Sequence, residues 1–138
     1  MQSTIQTPPR SKKKLWTGRI IMTLVVLMLL LDASGKLMRL APVIEGTVQL
    51  GYPESAVFTI GLIQFICTVL YMIPRTSILG AILLTGYLGG AVATHVRIGN
   101  PLFTHVLFSI YLGVLIWAGL FLLDSRLRIL IPLRNQEL

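Results

Sequence analysis

Two histidines, an arginine and an asparagine crowd one short stretch, "GGAVATHVRIGNPLFTHVLF", residues 89–108 of an otherwise oily chain. His95 and Arg97 precede an Ile98-Gly99-Asn100-Pro101 break, and His105 follows it. Asp32 and Lys36 stand four residues apart in another apolar run, with Arg39 three further on. Ionisable groups are expensive in hydrocarbon, so each needs a partner or a purpose. Acid then Lys at i, i+4 is the favourable order for a helical ion pair, and Arg39 shares that face. Several chemistries fit these types. Two imidazoles can ligate a haem, but these two are joined by a tight turn near one surface, which sets them side by side rather than opposed. Zinc needs a third ligand and a spacing that is absent here. Acid–base work by Asp32 with a histidine has no motif behind it. Structural pairing remains, as does a lipid or quinone head held by Arg97 and its neighbours. No metal or resident cofactor is therefore expected.

The elements that must position these groups follow from composition. Hydrophobic residues make up 54% of the 138, charged residues only 12%, and mean hydropathy is +0.80. A soluble domain of this size needs more charged surface. The net charge of +7 would suggest nucleic acid in a soluble protein. Here the basic residues flank apolar runs, which fits a membrane and its anionic lipid heads, so nucleic acid is set aside. Cys67, the one cysteine, cannot form an internal disulfide and reads as a small buried hydrophobe.

Four runs approach the roughly 20 apolar residues that a spanning helix needs. They cover about 19–38, 55–73, 77–96 and 102–123, separated by Ala41-Pro42 and Tyr52-Pro53, by Pro74-Arg75, and by Gly99-Asn100-Pro101. The first run outlasts a signal-peptide core and has no Ala-x-Ala site after it, so it reads as a retained span. The expected fold is an all-α integral membrane four-helix bundle, up-down-up-down. It occupies residues 15–124, between a disordered basic tail (1–14) and a basic interfacial tail (125–138). The connection from Leu40 to Glu54 is long and moderately apolar, and a short helix lying on the outer face is expected there.

Arg10, Lys12, Lys13, Lys14, Arg19, Arg75, Arg126, Arg128 and Arg134 fall on one side, and Lys36, Arg39 and Arg97 on the other. That asymmetry of nine to three places both termini in the cytoplasm of a multi-pass protein of the cell (inner) membrane. Trp16, Tyr71 and Trp117 sit where interfacial anchors are expected.

Helical projection sorts the faces. On the third run Gly86, Gly90, Ala93 and Arg97 form one stripe, with Gly86-x-x-x-Gly90 reading as close helix packing. His95 lies opposite, with Leu84, Leu88 and Ala91. Gly61, Gln64, Thr68 and Tyr71 make a polar stripe on the second run. Gln64 lies about 15 Å in from Pro53 and reads as interhelical glue. Ser109 and Gly113 form a further packing pair, sharing a face with His105. Depth makes Asp32, Lys36, His95, Arg97, Asn100 and His105 available to one outer polar cluster.

"SGKL" at 34–37, "LGYP" at 50–53, "LYMIPRTSILGAILLTGYLGGAVATHVRIGNPLF" at 70–103, "YLGVLIWAGLFL" at 111–122 and the following "RLRILIPLR" resemble the DoxX-like proteins over about residues 20–134. The resemblance implies a four-span helical membrane protein, from a family mostly bacterial and mostly without an assigned function. The family takes its name from a subunit of a thiosulfate:quinone oxidoreductase, and distant relatives act as membrane chaperones or assembly factors. Many relatives carry glutamate where this chain has Gln64, and often proline where it has Ser109. Gln64 cannot ionise, so proton chemistry at that position is not expected here.

Three functions follow as expectations. The first is an accessory, assembly or hydrophobic-ligand-binding membrane protein. The second is a membrane subunit of a quinone-linked redox system. The third is a small membrane enzyme acting on a hydrophobic substrate through Asp32 and a histidine. The expected partners are the lipid bilayer, quinone or another hydrophobic small molecule, and a membrane protein or second copy of the chain.

Overall fold

The protein's structure, a computed structural model, describes residues 11–130. The expected disorder of the first ten residues and the end of the interfacial tail lie outside that range. The described residues are all-helical. Helix α1 runs Lys12–Leu37, α2 Ala41–Gln49, α3 Ala56–Met72 and α4 Ser77–Arg97; α5 covers Leu107–Leu123 and α6 Leu127–Leu130. A π-helical turn, Leu102–Val106, leads into α5. The run expected as one regular helix from 102 therefore starts with a wider turn, after a proline that has no N–H to give.

Helix α1 starts at Lys12, inside the segment expected to be a tail, and ends with Arg39 in the left-handed region (φ 53°). The expected short helix between Leu40 and Glu54 is α2, begun by Pro42 in its first turn, where proline's fixed φ suits a helix start. Three apolar helical stretches are long enough to cross a membrane: Lys12–Leu37, Ser77–Arg97 and Leu102–Leu123. At 17 residues, α3 is apolar but shorter.

Helix α1 packs on α3 and α5, and α4 packs on the same two, so the four surround one core. Each contact is antiparallel. Gly18 near the start of α1 meets Leu122 and Leu123 at the end of α5, and Gly61 early in α3 meets Ala33 and Lys36 late in α1. The core holds Val25, Leu29, Tyr71, Leu84, Ile116 and Leu120. Tyr71, expected at the interface, is instead fully buried, and its hydroxyl donates to the Ile116 carbonyl at 2.8 Å. Gly80 makes that seat possible. A methyl group on its α-carbon would lie 2.2 Å from the Tyr71 backbone nitrogen, so only glycine lets α3 and α4 approach so closely there.

The outward faces are as apolar as the core. Leu24, Leu27 and Leu31 on α1, Ile63 and Ile66 on α3, Ile82 on α4 and Val114 on α5 are all exposed. Helices that are hydrophobic all round need an apolar medium outside as well as inside.

Candidate functional site

The mid-chain amide Gln64 is the centre of the polar core. Its side chain is 1% exposed, and α3 aims it at α1 and α4. Its Oε1 accepts from Lys36 Nζ at 3.0 Å and from the Tyr87 hydroxyl at 2.8 Å. Its Nε2 donates to Asp32 Oδ2 at 2.9 Å and to the Leu29 carbonyl at 3.2 Å. Two donors and two acceptor sites are all an amide possesses, so Gln64 is saturated. Lys36 also pairs with Asp32 on its own helix. The expected ion pair and the expected interhelical glue thus form one network joining α1, α3 and α4. Gly61 lets α1 close on α3 one turn away: a methyl there would stand 2.6 Å from Lys36 Cβ.

The expected outer cluster does not assemble as one. Asp32 and Lys36 join Gln64, while the hairpin residues find other partners. His95 Nδ1 bonds Asn100 Nδ2 at 2.8 Å, and its ring stands 5.4 Å from that of His105, centroid to centroid, tilted by 59°. Gly99 makes this geometry. With φ at +73° it ends α4 and turns the chain so that the Asn100 N–H reaches the His95 carbonyl. Arg97 points elsewhere, as the helical projection requires: its Nη2 donates to the Leu50 carbonyl at 2.8 Å, just past the end of α2. There a cation also complements the negative end of the α2 dipole. Tyr52 donates to Thr94 Oγ1 at 2.8 Å, because that hydroxyl already gives its proton to the Gly90 carbonyl. Arg39 pairs with Glu54 at 2.8 Å. These links strap α2 and its following turn across one end of the helices. Among the described residues, no three His, Cys, Asp or Glu side chains converge as metal ligands would.

The Gly86, Gly90, Ala93, Arg97 stripe needs correction as a packing face. Nothing lies within 4 Å of where a Cβ would stand on Gly86 or Gly90, and Ala93 is exposed. Helix α4 meets its neighbours through Gly80, Ala81, Leu84 and Leu88, so the stripe faces outward. The other small pair is placed differently. Ser109 is buried, and Gly113 lies against Leu88. Both line an apolar groove of about 670 Å³ between α4 and α5. Gly89, Val92, Ile110 and Val114 form its upper walls. Lower down, Trp117 Nε1 donates to Thr85 Oγ1 at 2.8 Å and bridges the two helices. Trp117 thus serves as a groove wall, and Trp16 is the exposed tryptophan.

Tyr87 is the network member that the sequence reading missed. It falls on the same face as Leu84 and Leu88, so a hydroxyl on a core-facing stripe was the available signal. The groove had no signal of its own beyond Ser109 and Gly113.

Apolar outer faces and membrane-length helices define a helical membrane protein. The sequence pattern of the DoxX-like family matches residues 20–119, and the chain belongs to that family. The matched stretch takes in α1 from its third turn, the polar network, the histidine hairpin and most of α5. No curated protein and no solved structure matches the chain.

Proposed function

We propose that this is a four-span, up-down-up-down membrane protein, with both termini cytoplasmic, that binds a hydrophobic small molecule without transforming it. The observation that carries the ligand reading is the groove between α4 and α5. Its volume falls in the roughly 300–1,000 Å³ range of small-molecule sites, and its few polar groups are hydroxyls and an indole. It opens toward the side that lipid would bathe. The absence of chemistry rests on the polar core: Asp32 and Lys36, which could serve acid–base work, are tied to each other and to a saturated amide.

Helix α3 crosses as the fourth span in this reading. Its 17 residues reach about 25 Å at 1.5 Å per residue, near the lower end of spanning lengths. Antiparallel α1 and α4 flank it along that length. The orientation draws on the same packing, which gathers Lys12 to Lys14, Arg19, Arg75 and Arg126 at one end and Lys36, Arg39 and Arg97 at the other.

The test is native mass spectrometry of the detergent-purified chain, with solvent extraction and a near-ultraviolet spectrum of the extract. Wild type should retain a lipid-sized hydrophobic molecule. Gly89→Phe, whose new side chain enters open space in the groove, should lose it while keeping its helicity. Equal retention by both proteins would remove the groove from the account. A quinone spectrum at near-stoichiometric amount would favour the redox-subunit reading instead.

A further inference from the structure

We propose that His95 and His105 read the head of the molecule whose chain lies in the α4–α5 groove, and that this molecule is a lipid with an exposed anionic head, a phosphate monoester or a carboxylate. The inference rests on the groove being a ligand site.

Val92 and Ser109 are the groove-lining residues nearest the hairpin. One turn further, His95 follows Val92 by three residues on α4, and His105, in the π-helical turn that leads into α5, precedes Ser109 by four. Both rings therefore lie about one helical turn beyond the groove's hairpin end. Their ring centroids stand 5.4 Å apart.

The hydrogen bonds bear on what the rings offer. The Asn100 amide donates to Nδ1 of His95, which places the ring proton on Nε2. Nδ1 of His105 is bonded to the Thr104 hydroxyl at 2.7 Å; a donating hydroxyl there leaves the ring proton on Nε2, the tautomer that this proposal takes. Neither Nε2 has a hydrogen-bond partner among the described residues. Two N–H donors without a protein partner, side by side beyond the groove's hairpin end, suit a head rich in oxygen acceptors.

Charge favours an anion over a zwitterion. The Arg97 guanidinium, on another face of α4 but at the same end, binds a carbonyl rather than a carboxylate and so leaves that end cationic. The α5 side begins with a helix N-terminus, whose dipole also favours negative charge. A choline-bearing head would bring its own cation into that field. The π-helical turn that carries His105 is a feature often found at functional sites.

The experiment reconstitutes the full chain in nanodiscs of phosphatidylcholine and phosphatidic acid in equal parts, with identical acyl chains. Native mass spectrometry then counts retained lipids. Wild type should retain phosphatidic acid over phosphatidylcholine by about tenfold, the effect of one charge-assisted hydrogen bond. The His95→Ala/His105→Ala variant should lose that preference while still retaining lipid. The His95→Gln/His105→Gln variant keeps an N–H donor at each position and should keep most of it. Gly89→Phe should retain neither lipid. Equal retention of the two lipids by wild type, or an unchanged preference in the alanine variant, would overturn the head-group assignment and leave the groove standing. Wild-type-like retention by Gly89→Phe would overturn the groove reading and this inference with it. Should the alanine variant fail to fold, the glutamine variant compared with a leucine pair decides: matching preferences in those two would count against recognition by the rings.

Discussion

Replacing Gln64 with leucine keeps the side chain's bulk and removes four hydrogen bonds in one step. The consequences differ among its partners. Lys36 and Asp32 keep each other, and the Leu29 carbonyl lies within the α1 helix. The Tyr87 hydroxyl has Gln64 Oε1 as its hydrogen-bond acceptor, so it alone is stranded. A buried donor left without a partner costs about 1–3 kcal/mol. Interhelical hydrogen bonds in membrane proteins contribute about 0.6 kcal/mol each, which adds about 2 kcal/mol for the other three. Better burial of leucine offsets part of that sum, and the expected net loss is about 2–3 kcal/mol. Tyr87→Phe alone should cost under about 1 kcal/mol, because Gln64 Oε1 keeps Lys36. The double variant removes the stranded hydroxyl, so it should be more stable than the sum of the single changes predicts, by about 1 kcal/mol. Unfolding of the purified protein by increasing sodium dodecyl sulfate, followed by loss of helicity, gives all four values. Additive effects, or a Gln64→Leu variant within about 0.5 kcal/mol of wild type, would refute the claim that Gln64 ties α1, α3 and α4 together.

Gly80→Ala should destabilise by about 1–3 kcal/mol in the same titration, since its methyl meets backbone. Gly86→Ala should be neutral or stabilising by up to about 1 kcal/mol, because its site is open and alanine favours the helix. Arg97→Ala should free the segment around α2, seen as faster backbone hydrogen exchange over residues 41–52 with little change in α3; unchanged exchange would deny Arg97 its strapping role. A reporter fused after Leu138 should read cytoplasmic, and a signal from the opposite side would reverse the proposed orientation.

The helical runs were legible because hydropathy and proline-rich breaks mark them directly: the expected 55–73 and 77–96 became Ala56–Met72 and Ser77–Arg97. Gln64 was legible for the same reason, as an amide deep in an apolar run has to find partners. Tyr87 was not, since tyrosine in a membrane sequence reads equally as filler or anchor. The small-residue stripe misled because spacing gives a face but not the neighbour it meets. Helix α4 turns Leu84 and Leu88 inward and leaves Gly86 and Gly90 outside. The outer cluster failed for a related reason. Depth can be counted along a helix at 1.5 Å per residue, whereas the direction each side chain faces depends on packing. Arg97 went to the α2 end and the histidines to each other, although all share one depth.

A ligand held between α4 and α5 is tested most directly by photolabelling in a bilayer doped with a phospholipid that carries a diazirine in its chain. Residues Val92, Ile110 and Val114 should take up label well above Leu24 and Leu27, which are exposed on the outer face of α1. Gly89→Phe should bring the groove residues down to the α1 level. Even labelling of α1, α4 and α5 in the wild-type protein would contradict a bound lipid and leave the groove as ordinary membrane-facing surface.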